Sequence, residues 1–309
     1  MEKKVLVALD DSLHSKYAVQ YVIRMGTRIE SLHYTLFSIQ PTVSGFLVDD
    51  AKTDARARAA LGKMKNRNET RTLEMLEGFR SLMIAEGVAE DRIEIKTQPK
   101  KVGLAKDILE RAQEDRYDAI VAGRRGISKV QELFMGSVTT NLIEHSRVTP
   151  VWVVDGDVTD SRVLLAVDGS ESALRAVDHV SFMFSGNPEA KITLAHVTPK
   201  LKDFCAIDLD EADAELEEVI VEGDKRCVQQ FLVHAYKKFK EAGIDKSQIE
   251  IRELPRSMNI GKAILDEADG GGYGTLVFGR RGINKAFFMG SVSNYIINKA
   301  ANHALWLVS

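Results

Sequence analysis

The chain repeats itself. Val5-Leu-Val-Ala-Leu-Asp-Asp-Ser12 returns as Val163-Leu-Leu-Ala-Val-Asp-Gly-Ser170, 158 residues later, and His33-Tyr-Thr-Leu-Phe-Ser-Ile-Gln-Pro41 returns at the same spacing as Lys191-Ile-Thr-Leu-Ala-His-Val-Thr-Pro199. Arg92-Ile-Glu-Ile95 matches Gln248-Ile-Glu-Ile251, and Ala122-Gly-Arg-Arg-Gly-Ile127 matches Phe278-Gly-Arg-Arg-Gly-Ile283, both 156 residues apart. Phe134-Met-Gly-Ser-Val138 matches Phe288-Met-Gly-Ser-Val292 at 154. Ordered matches whose spacing drifts so little require a duplicated unit. The period is too long for a solenoid repeat and close to the size of an ordinary domain. The 309 residues therefore divide into domains at 1–155 and 160–309. The seam between them, Asp155-Gly-Asp-Val-Thr-Asp160, is short and polar, which implies domains that pack together rather than swing freely.

Within each repeat, strand and helix patterns alternate. Lys4–Leu9 is a continuous aliphatic run, as expected of a strand covered on both faces. Residues 12–28 carry apolar positions at helical spacing, Tyr34–Ile39 reads as a second strand, and Thr70–Glu86 as an amphipathic helix stopped by Gly87. A short strand at Ile93–Lys96 follows, then a helix at Val102–Glu114 and a buried strand at Tyr117–Ala122. A helix at Ser137–Ser146 and a last strand at Val151–Val154 complete the series, and the second repeat gives the same one. Alternation of this kind predicts an α/β fold: two tandem, doubly wound, parallel five-stranded sheets flanked by helices, Rossmann-like in organisation. Ligands of such sheets bind beyond the carboxyl ends of the strands.

Composition narrows the function. With 42 Lys+Arg against 45 Asp+Glu the chain lacks the basic excess of a nucleic-acid binder. No apolar run is long enough to span a bilayer, and the run Val5–Leu9 is too short for the core of a signal peptide. Cys205 and Cys227 cannot build a disulfide framework and read as inert thiols. A cytoplasmic protein is expected.

The distinctive residues fall at predicted strand ends. The first strand of each repeat ends in Asp10-Asp11-Ser12 or Asp168-Gly169-Ser170, and the second at Ile39 or Val197. The fourth ends in Gly123-Arg-Arg-Gly126 or Gly279-Arg-Arg-Gly282, and Gly136-Ser137 or Gly290-Ser291 then opens a helix. Such parts suit a nucleotide. Glycines admit an anion close to the backbone, and a helix start offers free N–H groups and a partial positive charge. Serine adds a hydroxyl donor, the aspartate can accept from ribose hydroxyls or help hold a metal ion, and backbone groups ending the second strand can meet an adenine edge.

Both repeats resemble universal stress protein domains of the UspA superfamily, whose ATP signature is Gly, two residues, Gly, nine residues, Gly-Ser/Thr. Gly123, Gly126, Gly136 and Ser137 reproduce it with the full nine-residue gap. The resemblance covers essentially the whole chain. It implies an adenine nucleotide alpha hydrolase-like fold and an ATP, ADP or AMP site in the first repeat. Asp10 would take the ribose or a nucleotide-bound Mg²⁺, Ile39 the adenine through its backbone, and Gly123, Gly126, Gly136, Ser137 and the Val138 N–H the phosphates. In the second repeat the equivalents are Asp168, Val197, Gly279, Gly282, Gly290 and Ser291. There the gap from Gly282 to Gly290 holds seven residues, not nine. This shortening is expected to pull the second helix start away from the phosphates, so that the repeat binds weakly, takes a shorter nucleotide or takes none.

Simpler roles stand beside these. Asp10 and Asp168 can cap the following helices, the Arg124, Arg125, Arg280 and Arg281 turns are as readily solvated as phosphate-facing, and His196 reads as a packed or hydrogen-bonded histidine. Trp152 and Trp306, each in the last strand of a repeat, fit core burial or pairing of the two repeats with each other. The last strand commonly pairs between subunits in the family, so a homodimer or an intramolecular pseudo-dimer is implied. No P-loop, metal set or nucleophile–base pair marks an enzyme. Slow ATP hydrolysis through Asp10 and Mg²⁺ is the catalytic alternative, and an interaction module without nucleotide is the other. A further contrast lies outside the motif. Residues 51–80 hold eight Lys/Arg against four Asp/Glu, whereas residues 203–224 hold ten Asp/Glu and no Lys/Arg. A solvated face explains such runs, as does mutual attraction within or between chains.

Overall fold

A computed structural model describes residues 1–125, 135–198, 214–255, 259–280 and 290–309. The chain forms two compact units: residues 1–23 with 31–149, and residues 24–30 with 150–309.

In the first unit, strands β1 (Lys3–Ala8), β2 (Leu32–Gln40), β3 (Ile93–Pro99) and β4 (Ala119–Gly123) stand in the order β3-β2-β1-β4, all parallel. The helices are α1 (Leu13–Gly26), α2 (Gly45–Asp50), α3 (Ala55–Ala85), α4 (Leu104–Glu114) and α5 (Ser137–His145). Val5, Leu6 and Val7 of β1 and Ile120 and Val121 of β4 have no exposed surface, because helices cover both faces of the sheet. Helix α3 begins fifteen residues earlier than its apolar pattern predicts. Its buried residues are Thr72, Leu76 and Met83, all in the later half. The earlier half is sustained by good helix formers and by Asp54, whose side chain accepts from the Arg56 N–H.

In the second unit, β5 (Val151–Val154), β6 (Val163–Ala166), β7 (Ile192–Val197), β8 (Ile249–Leu254), β9 (Thr275–Gly279) and β10 (Ala304–Val308) stand in the order β5-β10-β9-β6-β7-β8. Helices α6 (Glu171–Phe184), α7 (Ala214–Glu241), α8 (Ile260–Gly271) and α9 (Ser291–Lys299) flank them. The ladders from β10 to β8 are parallel, while β5 runs antiparallel to β10.

The β5–β10 register sets Trp152 opposite Trp306. Both side chains are fully buried, and their rings stack with centroids 3.8 Å apart. Burial and pairing, the two roles open to these residues from sequence, thus hold together. Trp152 Nε1–H donates to His179 Nε2 of α6 at 3.0 Å. Burial pushes the His179 pKa down to about 3, against a small upward pull from Asp178, so the imidazole is neutral and its Nε2 is free to accept. The His179 ring also meets Trp306 edge to face, with centroids 5.6 Å apart.

Candidate functional site

Parallel register brings the predicted residues to one level in each unit. Val7 is paired with Leu36 and with Val121. Three residues farther along each strand path stand Asp10, Ile39 and Arg124. In the second unit Leu165 is paired with Leu194 and Val277, and three residues farther stand Asp168, Val197 and Arg280.

Asp10 is held by its own turn. Its N–H donates to Ser15 Oγ at 2.8 Å, and that hydroxyl donates back to Asp10 Oδ1 at 2.7 Å. The cap of α1 is Ser12, whose Oγ accepts the Ser15 N–H at 3.2 Å, so the capping role open to Asp10 falls to its neighbour. Asp168 differs. Ala173 stands where the first repeat has Ser15, and the Asp168 carboxylate instead accepts the Ser170 N–H at 3.0 Å. Ser170 caps α6 through the Ala173 N–H.

Gly123 and Gly279 end β4 and β9 directly under the first turn of a helix. A Cβ on Gly123 would lie 2.7 Å from the carbonyl carbon, oxygen and Cβ of His14, and one on Gly279 would lie 2.8 Å from the Ser172 carbonyl carbon. Close packing against α1 and α6 therefore requires glycine here, whatever else these positions touch. Gly123→Val is expected to destabilise the protein by about 1–3 kcal/mol, measured by urea unfolding, because backbone rather than a flexible side chain must move.

The second helix start is not displaced by the shorter segment before it. The Gly136 N–H donates to the Arg124 carbonyl at 2.9 Å, and the Gly290 N–H to the Arg280 carbonyl at 3.2 Å. Thr139 Oγ1 donates to the Gly123 carbonyl at 2.8 Å, and Ser293 Oγ to the Gly279 carbonyl at 3.0 Å. Gly136 and Gly290 have nearly equal dihedrals, φ −62°, ψ 144° and φ −61°, ψ 153°. The expected displacement is thus corrected: hydrogen bonds across the base of the segment hold the helix start in the same place in both repeats. Gly136 and Gly290 have no side chain with which to cap α5 and α9, so among the described residues the first N–H groups of each helix, those of Ser137 and Val138 or of Ser291 and Val292, have no side-chain cap. Gly126 and Gly282 lie outside the described residues, as do Cys205 and Arg281. Arg124 and Arg280 are buried rather than solvated; Arg125 is half-buried.

His196 is a hydrogen-bonded core histidine, as expected. Nδ1 lies 2.9 Å from the Val167 carbonyl and Nε2 2.9 Å from Asp224 Oδ2 of α7. One turn along α7, Cys227 Sγ packs on Gly169, which takes φ +77° and whose added Cβ would stand 2.7 Å from that sulfur. Helix α7 is therefore fastened over the ends of β6 and β7, next to Asp168. Sequence reading missed Ser15 and Asp224. The Asp10-x-Ser12-x-x-Ser15 spacing carries a signal for the first; Asp224, 28 residues from His196, has none. Among the described residues no group of three His, Cys, Asp or Glu side chains is arranged to hold a metal, and no helix is long and apolar enough to cross a membrane.

The family model of the universal stress protein family matches residues 1–155 and again 161–305. The chain belongs to this family, with two of its domains in tandem. It is 31% identical over 145 residues to a universal stress protein of Synechocystis sp., covering 46% of this chain and 91% of that one. It is 26% identical over 184 residues to one of Mycolicibacterium smegmatis, a match that spans 58% of either chain. Among solved structures, a universal stress protein from Archaeoglobus fulgidus is similar in fold over 99% of this chain and 98% of that one, with a TM-score of 0.63 and 18% identity. A universal stress protein from Pseudomonas aeruginosa matches over 99% and 93%, with a TM-score of 0.57 and 15% identity.

Proposed function

We propose that this universal stress protein binds an adenine nucleotide, ATP foremost, in its first repeat and acts in the stress response as a cytoplasmic regulatory or protective protein rather than as an enzyme. The observation that carries this reading is the convergence of Asp10, Ile39 and the uncapped start of α5 at one level of the sheet. An acceptor held by Ser15, a strand-end backbone and the first N–H groups of α5, which have no side-chain cap among the described residues, match, in turn, ribose, adenine edge and phosphate. Asp10 serves the ribose or a nucleotide-bound Mg²⁺. Gly123, Gly126, Gly136, Ser137 and Val138 serve the phosphates. The second repeat, with Asp168, Val197, Gly279, Gly282, Gly290 and Ser291, keeps the frame. It lacks the Ser15 hydroxyl and has α7 fastened beside Asp168. It therefore contributes weaker binding or none, and the chain takes one nucleotide.

The test is to denature the purified protein, count released nucleotide, and titrate the emptied chain with ATP by calorimetry. One equivalent per chain is expected. Asp10→Ala should weaken binding by about tenfold or more, the effect of losing one charge-assisted hydrogen bond, while Asp168→Ala leaves it unchanged. Absence of both released nucleotide and binding heat refutes the reading.

A further inference from the structure

The two repeats differ at one buried position beside the strand-end aspartate. Ser15 of α1 corresponds to Ala173 of α6, each in the first turn of its helix and 3% and 2% exposed. Ser15 holds Asp10 at two points. Its hydroxyl oxygen accepts the Asp10 N–H at 2.8 Å, and its hydrogen goes to Asp10 Oδ1 at 2.7 Å. Ser12 Oγ stands 3.4 Å from Ser15 Oγ and accepts the Ser15 N–H at 3.2 Å, which fixes the serine in turn. Backbone and carboxylate of Asp10 are thus pinned by the same oxygen, and the torsions between them are locked. Asp168 has a methyl group in place of that hydroxyl and is tied otherwise. Its Oδ1 accepts the Ser170 N–H, two residues along its own chain, at 3.0 Å. That contact is an Asx turn, which needs no second element to hold it.

We propose that Ser15 is the positioning residue that makes the first repeat a ribonucleotide site: it presents Asp10 to the adjacent hydroxyls of a ribose, so that the site rejects a nucleotide whose sugar lacks them. This rests on the adenine-nucleotide reading above and narrows the ligand to nucleotides that carry a ribose. An ionised carboxylate accepts at about four lone-pair sites and has no hydrogen to give. The bond from Ser15 occupies one of these, and the ribose hydroxyls are donors on adjacent carbons that suit such an acceptor. Adenine and phosphates are identical in ribonucleotides and deoxyribonucleotides, so discrimination has to come from a group that meets the sugar. A site that holds out a polar group disfavours an analogue that leaves this group unpaired, and most strongly when the group is not free to turn away. Ser15 removes that freedom. Without the hydroxyl, an aspartate at this position can fold back on its own turn, as Asp168 does, and the ribose loses its acceptor.

Calorimetric titration of the full chain, emptied of nucleotide, with ATP and with dideoxy-ATP, whose sugar lacks both hydroxyls, tests this. The wild type should bind ATP at least about tenfold more tightly than dideoxy-ATP. Ser15→Ala is a substitution that the second repeat already accommodates at the matching buried position. It should bring the two affinities within about threefold of each other, by weakening ATP while dideoxy-ATP binds as before. In an Asp10→Ala background, Ser15→Ala should have no further effect on ATP, because a positioning residue acts only through the group it positions. Equal affinity of the wild type for both nucleotides, as expected if Asp10 instead serves a nucleotide-bound metal ion, overturns the proposal and leaves the adenine-nucleotide reading standing. Equal weakening of both nucleotides by Ser15→Ala also overturns it, since a general loosening of the α1 turn does the same, and so does a further loss in the Asp10→Ala background. A chain that binds neither nucleotide overturns this proposal and the adenine-nucleotide reading together.

Discussion

Trp152→Ala should lower the stability of the protein by about 3–5 kcal/mol, the largest effect of any single substitution considered. The indole has no exposed surface, stacks on Trp306 at 3.8 Å and fixes the β5–β10 register. Removing it opens a cavity between two strands and leaves the buried His179 Nε2 without its donor. Trp152→Phe separates these contributions. It keeps a ring for Trp306 to stack on but deletes the N–H, so it should cost about 1–3 kcal/mol, the penalty for an unpaired buried acceptor. Urea unfolding of both variants, with His179→Leu completing a double-mutant cycle, measures the coupling. Additive effects would mean that the hydrogen bond contributes nothing beyond packing.

Stability should also fall on acidification through a window set by His179. Its folded pKa is about 3, against 6.5 for the ordinary side chain. Between these values the unfolded chain binds a proton that the folded chain refuses, so stability is at its full value above about 6.5 and declines as pH drops toward 3. Each unit of difference is worth about 1.4 kcal/mol, giving on the order of 4–5 kcal/mol over the whole window. Asp107 acts in the same direction lower down. Burial alone would raise its pKa, but N–H donors from Lys101, Val102 and Gly103 outweigh that and hold it below the usual carboxylate range. Its share is present above the ordinary value of 3.8 and lost beneath it. Asp118, whose pKa burial raises above its ordinary 3.8, acts in the opposite sense just above that value, so between about pH 6.5 and pH 4 the histidine is isolated by the difference between the wild type and His179→Leu rather than by the decline alone. His179→Leu should be less stable at neutral pH, because Trp152 loses its acceptor, yet should lose much less on acidification across that interval. Equal slopes for the two proteins would refute the assignment.

Much of this architecture is legible in the sequence because its signals are local. Aliphatic runs mark β1, β4, β5 and β10, and the duplication transfers each assignment to a second position. The early half of α3 was not legible, since periodicity detects a helix by the face it buries and Ala55–Arg71 buries none. Helix propensity is the only signal there. The strand-end aspartates and Gly-Ser pairs were found because the turn chemistry is short-range. The grip of Ser15 on Asp10 and the burial of Arg124 and Arg280 depend on side-chain packing that spacing does not encode. The shortened segment misled for a similar reason: residue counting treats a connection as a rigid spacer, whereas a hydrogen bond at its base makes its length irrelevant to where the next helix starts.

That bond closes a frame between Arg124 and Gly136, and its counterpart closes one between Arg280 and Gly290, although the two connections differ by two residues in length. The entropy of closing such a connection changes only slowly with its length, well under about 0.6 kcal/mol for two residues in ten. Residues can be added, removed or rewritten between the two anchors at little expense to either helix. A lineage, or an engineer, can thereby change the length of this connection while the sheet, the glycine contact beneath the helix and the helix start stay unchanged.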